Sequence, residues 1–296
     1  MSPAEETFKR DEFVVRPVNL VGARRFWVYR GEHDPADFDA AERRLSAAFE
    51  ALAADFDAEA GGPIGLCVPI SSRTLLDAHP EAVWQRSQLM YAGYLAGGEQ
   101  VRIRYFDDAP IALGANANHG DTRLEPGLRV LPFAEQDVVG PEDVIALWQR
   151  EGVLGLEEAK RRVHEVLLVG VTDDGQLAGI SSTYLQRNAQ LGMFLWYYRA
   201  FVANSHRGSN LALNLAMRGR DLLRERFVSG TDRRGAGAIY EVENPGLKSY
   251  FNLATWQPTE FTFIGESEHG AHVRVHFFPG AEAPPFTISA GGRLGT

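Results

Sequence analysis

The segment from Gly192 to Leu223 limits what this chain can fold into more than any other part of it. Gly192 to Ala203 is long, aromatic and, apart from Arg199, uncharged, which predicts a central strand buried on both faces. It runs directly into Asn204-Ser205-His206-Arg207-Gly208-Ser209-Asn210-Leu211-Ala212, and a helix follows through Leu213, Leu215, Ala216, Leu222 and Leu223. The first N–H groups of a helix lack internal partners and carry the positive end of its dipole, so small residues at such a turn let an anion approach bare backbone. A pyrophosphate suits this turn, and Arg207 adds a guanidinium able to pair with phosphate oxygens. Taken alone, the turn also reads as an ordinary strand-to-helix connection with a solvated arginine.

The elements around it are legible. Leu128 to Phe133 reads as a strand, Pro141-Glu142 opens a helix with Val144, Leu147 and Trp148 on one face, and Leu156 to Val166 reads as a second helix. Leu167 to Val171 passes through Thr172-Asp173-Asp174-Gly175 into Leu177 to Tyr184, most simply a hairpin. Ala238 to Glu243 alternates apolar and acidic residues as a further strand, and Asn244-Pro245 starts a short helix with Asn244 as its cap.

In the order of these elements and in particular residues, this half resembles the GNAT family of acetyl-CoA-dependent N-acyltransferases over about residues 128–280. Members carry Arg or Gln, two residues, Gly, one residue, then Gly or Ala at the start of the helix after their fourth strand. Arg207, Gly208, Ser209, Asn210, Leu211 and Ala212 fill those positions, with Asn210 where the family has its central glycine. Asparagine tolerates unusual backbone angles, although it is bulkier than glycine at a phosphate site.

The resemblance implies an α+β (α/β mixed) fold, a twisted mixed sheet flanked by helices, whose fourth and fifth strands splay apart to admit the pantetheine arm. It implies that the backbone of Phe201, Val202 and Ala203 pairs with that arm, that Arg207 to Ala212 hold the pyrophosphate, and that Asn244 contacts the coenzyme. The implied reaction is direct attack of a small acceptor's amine on the acyl carbonyl, which needs positioning, a base and stabilisation of the oxyanion. Many members keep a glutamate on the fourth strand, and Leu195 to Val202 offers no carboxylate. Glu241 and Glu243 share one face of the fifth strand if it is regular, so either is a candidate base, Glu241 being the more central. The family's tyrosine often protonates the departing thiolate. Its register falls on Phe251, and Tyr250, one residue early, is the candidate acid. No spacing of His, Asp and Glu argues for a metal.

The front half reads as a smaller α/β domain over residues 1–125, ahead of the GNAT-like part at 126–296, with the boundary placed in the Gly-, Asn- and Asp-rich stretch Pro110 to Glu125. Arg25 to Tyr29 predicts a strand. A helix is expected from Asp34-Pro35 with Phe38, Leu45, Phe49, Leu52 and Phe56 on one face, ended by Gly61-Gly62. Ile64 to Ile70 follows as a buried strand, about Pro80 to Leu95 as a helix, and Val101 to Phe106 as a strand. Two roles stay open for this half: a degenerate second GNAT repeat without a phosphate loop, or a supplier of part of the acceptor pocket or of a homodimer surface. Val83-Trp84, Ser87-Gln88-Leu89, Tyr91-Ala92-Gly93-Tyr94 and Val130-Leu131-Pro132 also resemble short segments of nitric-oxide synthase oxygenase domains. Those domains hold haem through a cysteine thiolate upstream of such a segment, whereas the one cysteine here, Cys67, lies inside an apolar run.

Charge narrows the partners. Thirty Lys and Arg against 39 Asp and Glu give a net charge of -9, without the basic footprint of a nucleic-acid or anionic-membrane binder. A lone cysteine, an acidic start and the lack of a long apolar run lead to the expectation of a cytoplasmic protein. The functional expectation is an N-acyltransferase using acetyl-CoA on a small amine. The alternative is a catalytically idle module of the same fold, binding coenzyme A as a sensor or assembly domain, motivated by Asn210, Phe251 and the missing strand carboxylate.

Overall fold

The computed structural model describes residues 8–10, 13–19, 25–29, 38–78, 81–95, 97–112 and 121–285. The front part contains β1 (Phe8–Arg10), β2 (Phe13–Asn19), β3 (Arg25–Tyr29), α1 (Phe38–Ala54), β4 (Gly65–Ile70), α2 (Arg73–Ala78), α3 (Glu81–Arg86), β5 (Met90–Tyr94) and β6 (Gln100–Tyr105). They build a sheet of order β1-β2-β3-β4-β6-β5. The expected helix start at Asp34-Pro35 and the expected start at Pro80 lie outside the described residues. The helix expected to reach Leu95 stops at Arg86, and Met90–Tyr94 is a strand paired with β6. The reversal is made by Gln88 at φ 57°, with the Leu89 N–H donated back to the Trp84 carbonyl at 3.0 Å. Aromatic Tyr91 and Tyr94 then suit a half-buried sheet.

The back part contains β7 (Leu128–Pro132), α4 (Pro141–Arg150), α5 (Leu156–Arg162), β8 (Val166–Thr172), β9 (Leu177–Arg187), β10 (Phe194–Val202), α6 (Leu211–Val228), β11 (Gly237–Val242), α7 (Pro245–Tyr250), β12 (Thr255–Trp256), β13 (Phe261–Glu266) and β14 (His272–Phe277). Its sheet has the order β12-β13-β14-β11-β10-β9-β8-β7, antiparallel except for β10 and β11, which run parallel. Helices cover both faces. Val169 and Val171 pack with Val144, Leu147 and Trp148 of α4, while Leu168, next along β8, packs with Leu211 and Leu215 of α6. The second predicted helix ends earlier than expected, because one 3-10 turn at 163–165 leads straight into β8.

β10 is central, yet it is not buried on both faces. Phe194, the first residue of the strand, is 51% exposed, and Ala200 is exposed where β11, paired with β10 only at Trp196↔Ala238 and Tyr197↔Ile239, has diverged.

The front sheet repeats the plan of the back sheet. β1-β2-β3-β4-β6-β5 and β8-β9-β10-β11-β14-β13 share one order, one parallel junction and a helix, α1 or α6, linking its strands. The front junction is equally short, with Trp27↔Leu66 and Val28↔Cys67. At a constant offset of 172 residues, Gly65, Trp84, Gln85, Gly93, Gly98, Val101, Arg102, Phe106 and Ala109 recur as Gly237, Trp256, Gln257, Gly265, Gly270, Val273, Arg274, Phe278 and Ala281. The shared glycines follow from sterics: a Cβ on Gly65 would lie 2.4 Å from the Arg104 carbonyl, and one on Gly237 2.4 Å from that of His276. Gln88 and Glu260, related by the same offset, share left-handed angles of 57° and 58°.

Contacts between the halves are reciprocal, as a two-fold relation requires. Tyr91 meets Phe277 with ring centroids 6.4 Å apart, and their counterparts Phe263 and Tyr105 meet through the Tyr105 hydroxyl, 2.8 Å from the Phe263 carbonyl. Pro110 bridges Leu253, and the Glu81 N–H reaches the Glu282 carboxylate at 3.3 Å. Ala254 and Phe263 complete the front core, and Tyr91 and Tyr94 pack with Leu191, Met193 and Ile239 of the back half. Each half would expose these apolar surfaces if isolated. Co-expressed as two chains divided between residues 116 and 117, the halves should therefore copurify, and residues 117–296 alone should be largely insoluble. A soluble, cooperatively folding 117–296 piece would show that the shared core is dispensable.

Candidate active site

The turn after β10 is built from backbone. Residues 204–206 form a 3-10 turn closed by the His206 N–H on the Ala203 carbonyl at 2.9 Å, and Gly208 follows at φ 88°. Asn210 caps α6 at φ 60° and ψ 12°, a left-handed conformation that glycine adopts freely and asparagine better than most residues. The position thus requires its angle rather than the absence of a side chain. The Asn210 side chain turns outward, where its Nδ2 donates to the carbonyls of Asp121 at 2.8 Å and Arg123 at 2.9 Å. Asn214 Nδ2 donates to the Thr122 carbonyl at 2.9 Å, and the Glu125 N–H to the Ser209 carbonyl at 3.1 Å. Residues 121–125, placed before the boundary in the sequence reading, are tied by these bonds to the first turn of α6.

Leu211 seats that turn on the sheet. It is 1% exposed and lies against Gly170 of β8 and Gly179 of β9, where added Cβ atoms would fall 2.6 Å and 3.1 Å from its side chain. Burying such a leucine contributes about 1.5–3 kcal/mol. The backbone N–H groups of Gly208, Asn210, Leu211, Ala212 and Leu213 have no partner among the described residues. Beside them Arg207 is exposed and makes no ion pair among those residues, whereas Ser209 is buried with its hydroxyl on the His206 carbonyl at 2.6 Å. Such a group of N–H donors with a nearby guanidinium is chemically an anion receptor.

The gap between β10 and β11 opens beside this turn. Ala203 donates its N–H to the Ala178 carbonyl at 2.9 Å, and Ala236 donates to the Phe194 carbonyl at 2.9 Å, so odd residues of β10 direct their backbone groups to β9 and even ones to β11. Beyond Tyr197 the even residues lose their partner strand. Of the expected trio Phe201, Val202 and Ala203, the backbone of Val202 therefore faces the gap together with that of Ala200, while Phe201 and Ala203 are engaged by β9.

Glu241 lies on β11, exposed and without an ion pair among the described residues, on the sheet face that also carries Ile239, Tyr197 and Tyr184. Burial pushes the Tyr184 and Tyr197 phenols up, and the Glu241 carboxylate adds to the effect, so both rings stay protonated donors. Glu243 is exposed and lies beyond Val242, where β11 ends, so the strand alternation that grouped it with Glu241 does not reach it. Asn244 caps α7, its Oδ1 accepting from the N–H groups of Gly246 at 2.8 Å and Leu247 at 3.2 Å. Tyr250 stacks edge-on with Phe251 at 5.0 Å, and both pack with Trp256, Leu213 and Met217, which puts the aromatic pair on the α6 side of the sheet.

Arg274 was not expected to matter. It is 0% exposed and faces no carboxylate among its hydrogen-bond partners; its guanidinium donates to the carbonyls of Phe251, Leu253, Ala254 and Phe261, bracing the segment that follows Tyr250. Burial holds its pKa below the usual arginine range. Its counterpart Arg102 pairs instead with the carboxylate of Glu81 at 2.5 Å and 2.8 Å. The Val-Arg pair repeated at the 172-residue offset was the available signal. At the same offset from Glu241 and Tyr250 the front half has Pro69 and Ala78. No group of three or more His, Cys, Asp or Glu suited to a metal occurs among the described residues, and no helix there is long and apolar enough to cross a membrane.

No family model and no curated protein matches the chain. Solved structures similar to it include the acetyltransferase of GNAT family from Streptococcus pneumoniae, at 12% identity and TM-score 0.36, over 51% of this chain and 99% of that one. Arabidopsis thaliana NAA60 in complex with acetyl-CoA is similar at 14% identity and TM-score 0.34, over 51% and 99%. The ribosomal-protein-S5-alanine acetyltransferase from Vibrio fischeri is similar at 10% identity and TM-score 0.35, over 54% and 96%.

The left-handed cap generates a direct test of the turn. Asn210→Val forces a β-branched residue into that angle and leaves the Asp121 and Arg123 carbonyls without donors, so it should lower stability by about 2 kcal/mol or more. Asn210→Gly keeps the angle and should cost less. Urea titration of both variants checks the order, and equal losses would contradict it.

Proposed function

We propose that the chain is an N-acyltransferase that moves an acetyl group from acetyl-CoA to the amine of a small acceptor. The observation that carries this reading is the junction of the β10–β11 gap with the unpartnered N–H groups of Gly208 and of 210–213. One accepts an extended, hydrogen-bonding arm and the other a pyrophosphate at its end. Acetyl-CoA supplies the acyl group as a reactive thioester. The residues of this chain bind and orient: Arg207 and the 208–212 backbone take the phosphates, and the Ala200 and Val202 backbone takes the amide-bearing arm. Glu241 takes the proton from the attacking ammonium, directly or through water, and Tyr250, braced through the Arg274-bound segment, protonates the departing thiolate. Asn244 acts by capping α7, which holds Tyr250 at its far end. Phe251 at the family's tyrosine register and the lack of a carboxylate on β10 favour the second reading, a module that binds coenzyme A without turnover.

Two variants separate these roles. Arg207→Glu places a negative charge beside phosphate and should weaken acetyl-CoA binding by about tenfold or more in calorimetry, with the melting temperature unchanged because the side chain is exposed. Equal affinities would remove the phosphate assignment. Glu241→Gln should lower turnover by roughly 10²- to 10⁴-fold while acetyl-CoA affinity stays near wild type. Glu243→Gln, altering a residue past the strand, should have a much smaller effect. Full turnover across pH in Glu241→Gln would pass the proton to another group, and tight coenzyme binding with no thiol release on any amine would favour the idle module.

A further inference from the structure

The sheet face opposite α6 carries two poles of opposite charge that the chemistry above does not use together. Tyr184 of β9 stands directly across from Tyr197 of β10, their ring centroids 5.3 Å apart. Arg199, two residues beyond Tyr197 on the same face, lies with its guanidinium carbon 4.4 Å from the Tyr184 ring centroid and pairs with Glu165. Arg162, 18% exposed at the end of α5, approaches the same Glu165 carboxylate at 3.9 Å and that of Glu158 at 3.9 Å. Glu158 is itself taken by Arg161 at 2.7 Å. Three arginines thus meet two glutamates, which leaves an excess positive charge, and the buried Nε atoms of Arg162 and Arg199 have no hydrogen-bond partner.

The other pole is Glu241. The register Tyr197↔Ile239 sets Glu241 level with Arg199, on adjacent strands that diverge at this height. Strands in contact lie about 4.8 Å apart and these two are unpaired beyond Tyr197, so the two side chains flank the mouth of the gap. The Tyr184 phenol senses both poles, being raised by Glu241 and Glu165 and lowered by Arg199 and Arg162. The guanidinium of Arg162 is held below its usual range by burial and then by Arg199, as expected where two cations crowd one carboxylate. A polyamine would meet repulsion at Arg162 and Arg199. A molecule with an ammonium at one end and a carboxylate at the other satisfies both ends.

We propose that the acceptor is an amino carboxylate, an amino acid or a close relative, whose carboxylate is held at Arg162 and Arg199 and whose amine is presented to Glu241 and the β10–β11 gap. This rests on the acyltransferase reading. The acceptor's carboxylate pairs with the terminal guanidinium N–H groups of Arg162 and Arg199 that take no hydrogen bond among the described residues, and the Tyr184–Tyr197 pair forms the apolar wall between the poles. The amine nitrogen forms the new amide bond, the thioester carbon–sulfur bond breaks, and the ammonium proton leaves through Glu241, so acetyl-CoA and amino acid give N-acetyl amino acid and coenzyme A.

The test pairs each of a panel of natural amino acids with its carboxamide, in the full-length chain with saturating acetyl-CoA. Thiol release and calorimetric binding in the presence of coenzyme A are the readouts. At least one acid should exceed its own amide by about tenfold or more in kcat/KM, with the difference in KM, since one charge-assisted pair is worth at least that factor. Arg162→Gln should raise KM for that acid toward the amide's value and so shrink the preference of acid over amide by about tenfold, whereas an undiminished preference would overturn the assignment of Arg162. Amides equal to or better than acids, or no acid either bound or acetylated by a chain that binds acetyl-CoA, overturns the proposal and leaves the coenzyme site standing. A chain that does not bind acetyl-CoA at all overturns the acyltransferase reading and the acceptor with it.

Discussion

The divergence of β11 from β10 is the feature on which the rest of this molecule depends. Two parallel strands held by two residue pairs leave unpaired backbone in the middle of a sheet, a place where ladders are normally continuous. Unpaired groups in such a place are costly in a dry core and useful beside a ligand. Everything near the gap keeps it open. α6 is pinned to the outer strands through Leu211 and the glycines of β8 and β9, and β11 is held from its far side by six residue pairs with β14. Neither strand can swing back without losing packing on its own side. The gap is in this sense a product of the two half-sheets that flank it.

The doubling of the plan explains why a chain of this length has one such gap with chemistry-bearing side chains. Both halves have a short parallel junction, but β4 is buried along its whole length, with Pro69 at the place of Glu241. The front copy has become core and interface. Its buried Arg102 keeps a carboxylate partner, whereas Arg274 in the back copy braces backbone carbonyls beside the aromatic pair Tyr250 and Phe251. A buried guanidinium fixed only by carbonyls is demanding to satisfy, and it holds the α7–β12 connection in one arrangement. One position of the shared plan thus serves stability in the front half and, in the function proposed here, positioning in the back half.

Much of this was legible in residues whose local physics dominates. The turn at Arg207 to Ala212 was legible as a strand-to-helix connection because small and polar residues interrupt two apolar runs there, and the hairpin at Asp173-Asp174-Gly175 followed from turn chemistry. The state of β10 was not legible, since an apolar, aromatic strand reads alike whether both faces are covered or an adjacent strand departs from it. β5 was missed because the turn that ends α3 is made by Gln88 at a left-handed angle that glutamine does not advertise, while Gly93 falls inside the strand and not at the turn. A repeat was one of two readings that the sequence left open for the front half, and it stayed undecided because the matching residues are scattered, chiefly glycines, Trp84 and Trp256, and the two arginines, each fixed by sterics or by buried hydrogen bonds. The Arg162–Glu165–Arg199 cluster joins an α5 residue to a central strand, a contact that the sequence order does not suggest.

The account's central claim is that the β10–β11 gap and the first turn of α6 form one continuous coenzyme site. A crystal structure of the chain with acetyl-CoA tests it most directly. The account predicts pyrophosphate oxygens within hydrogen-bonding distance of the N–H groups of residues 208–212 and of Arg207, with the thioester between Val202 and Glu241. Coenzyme density elsewhere on the molecule, or a gap closed by direct pairing of Ala200 and Val202 with β11, would contradict it.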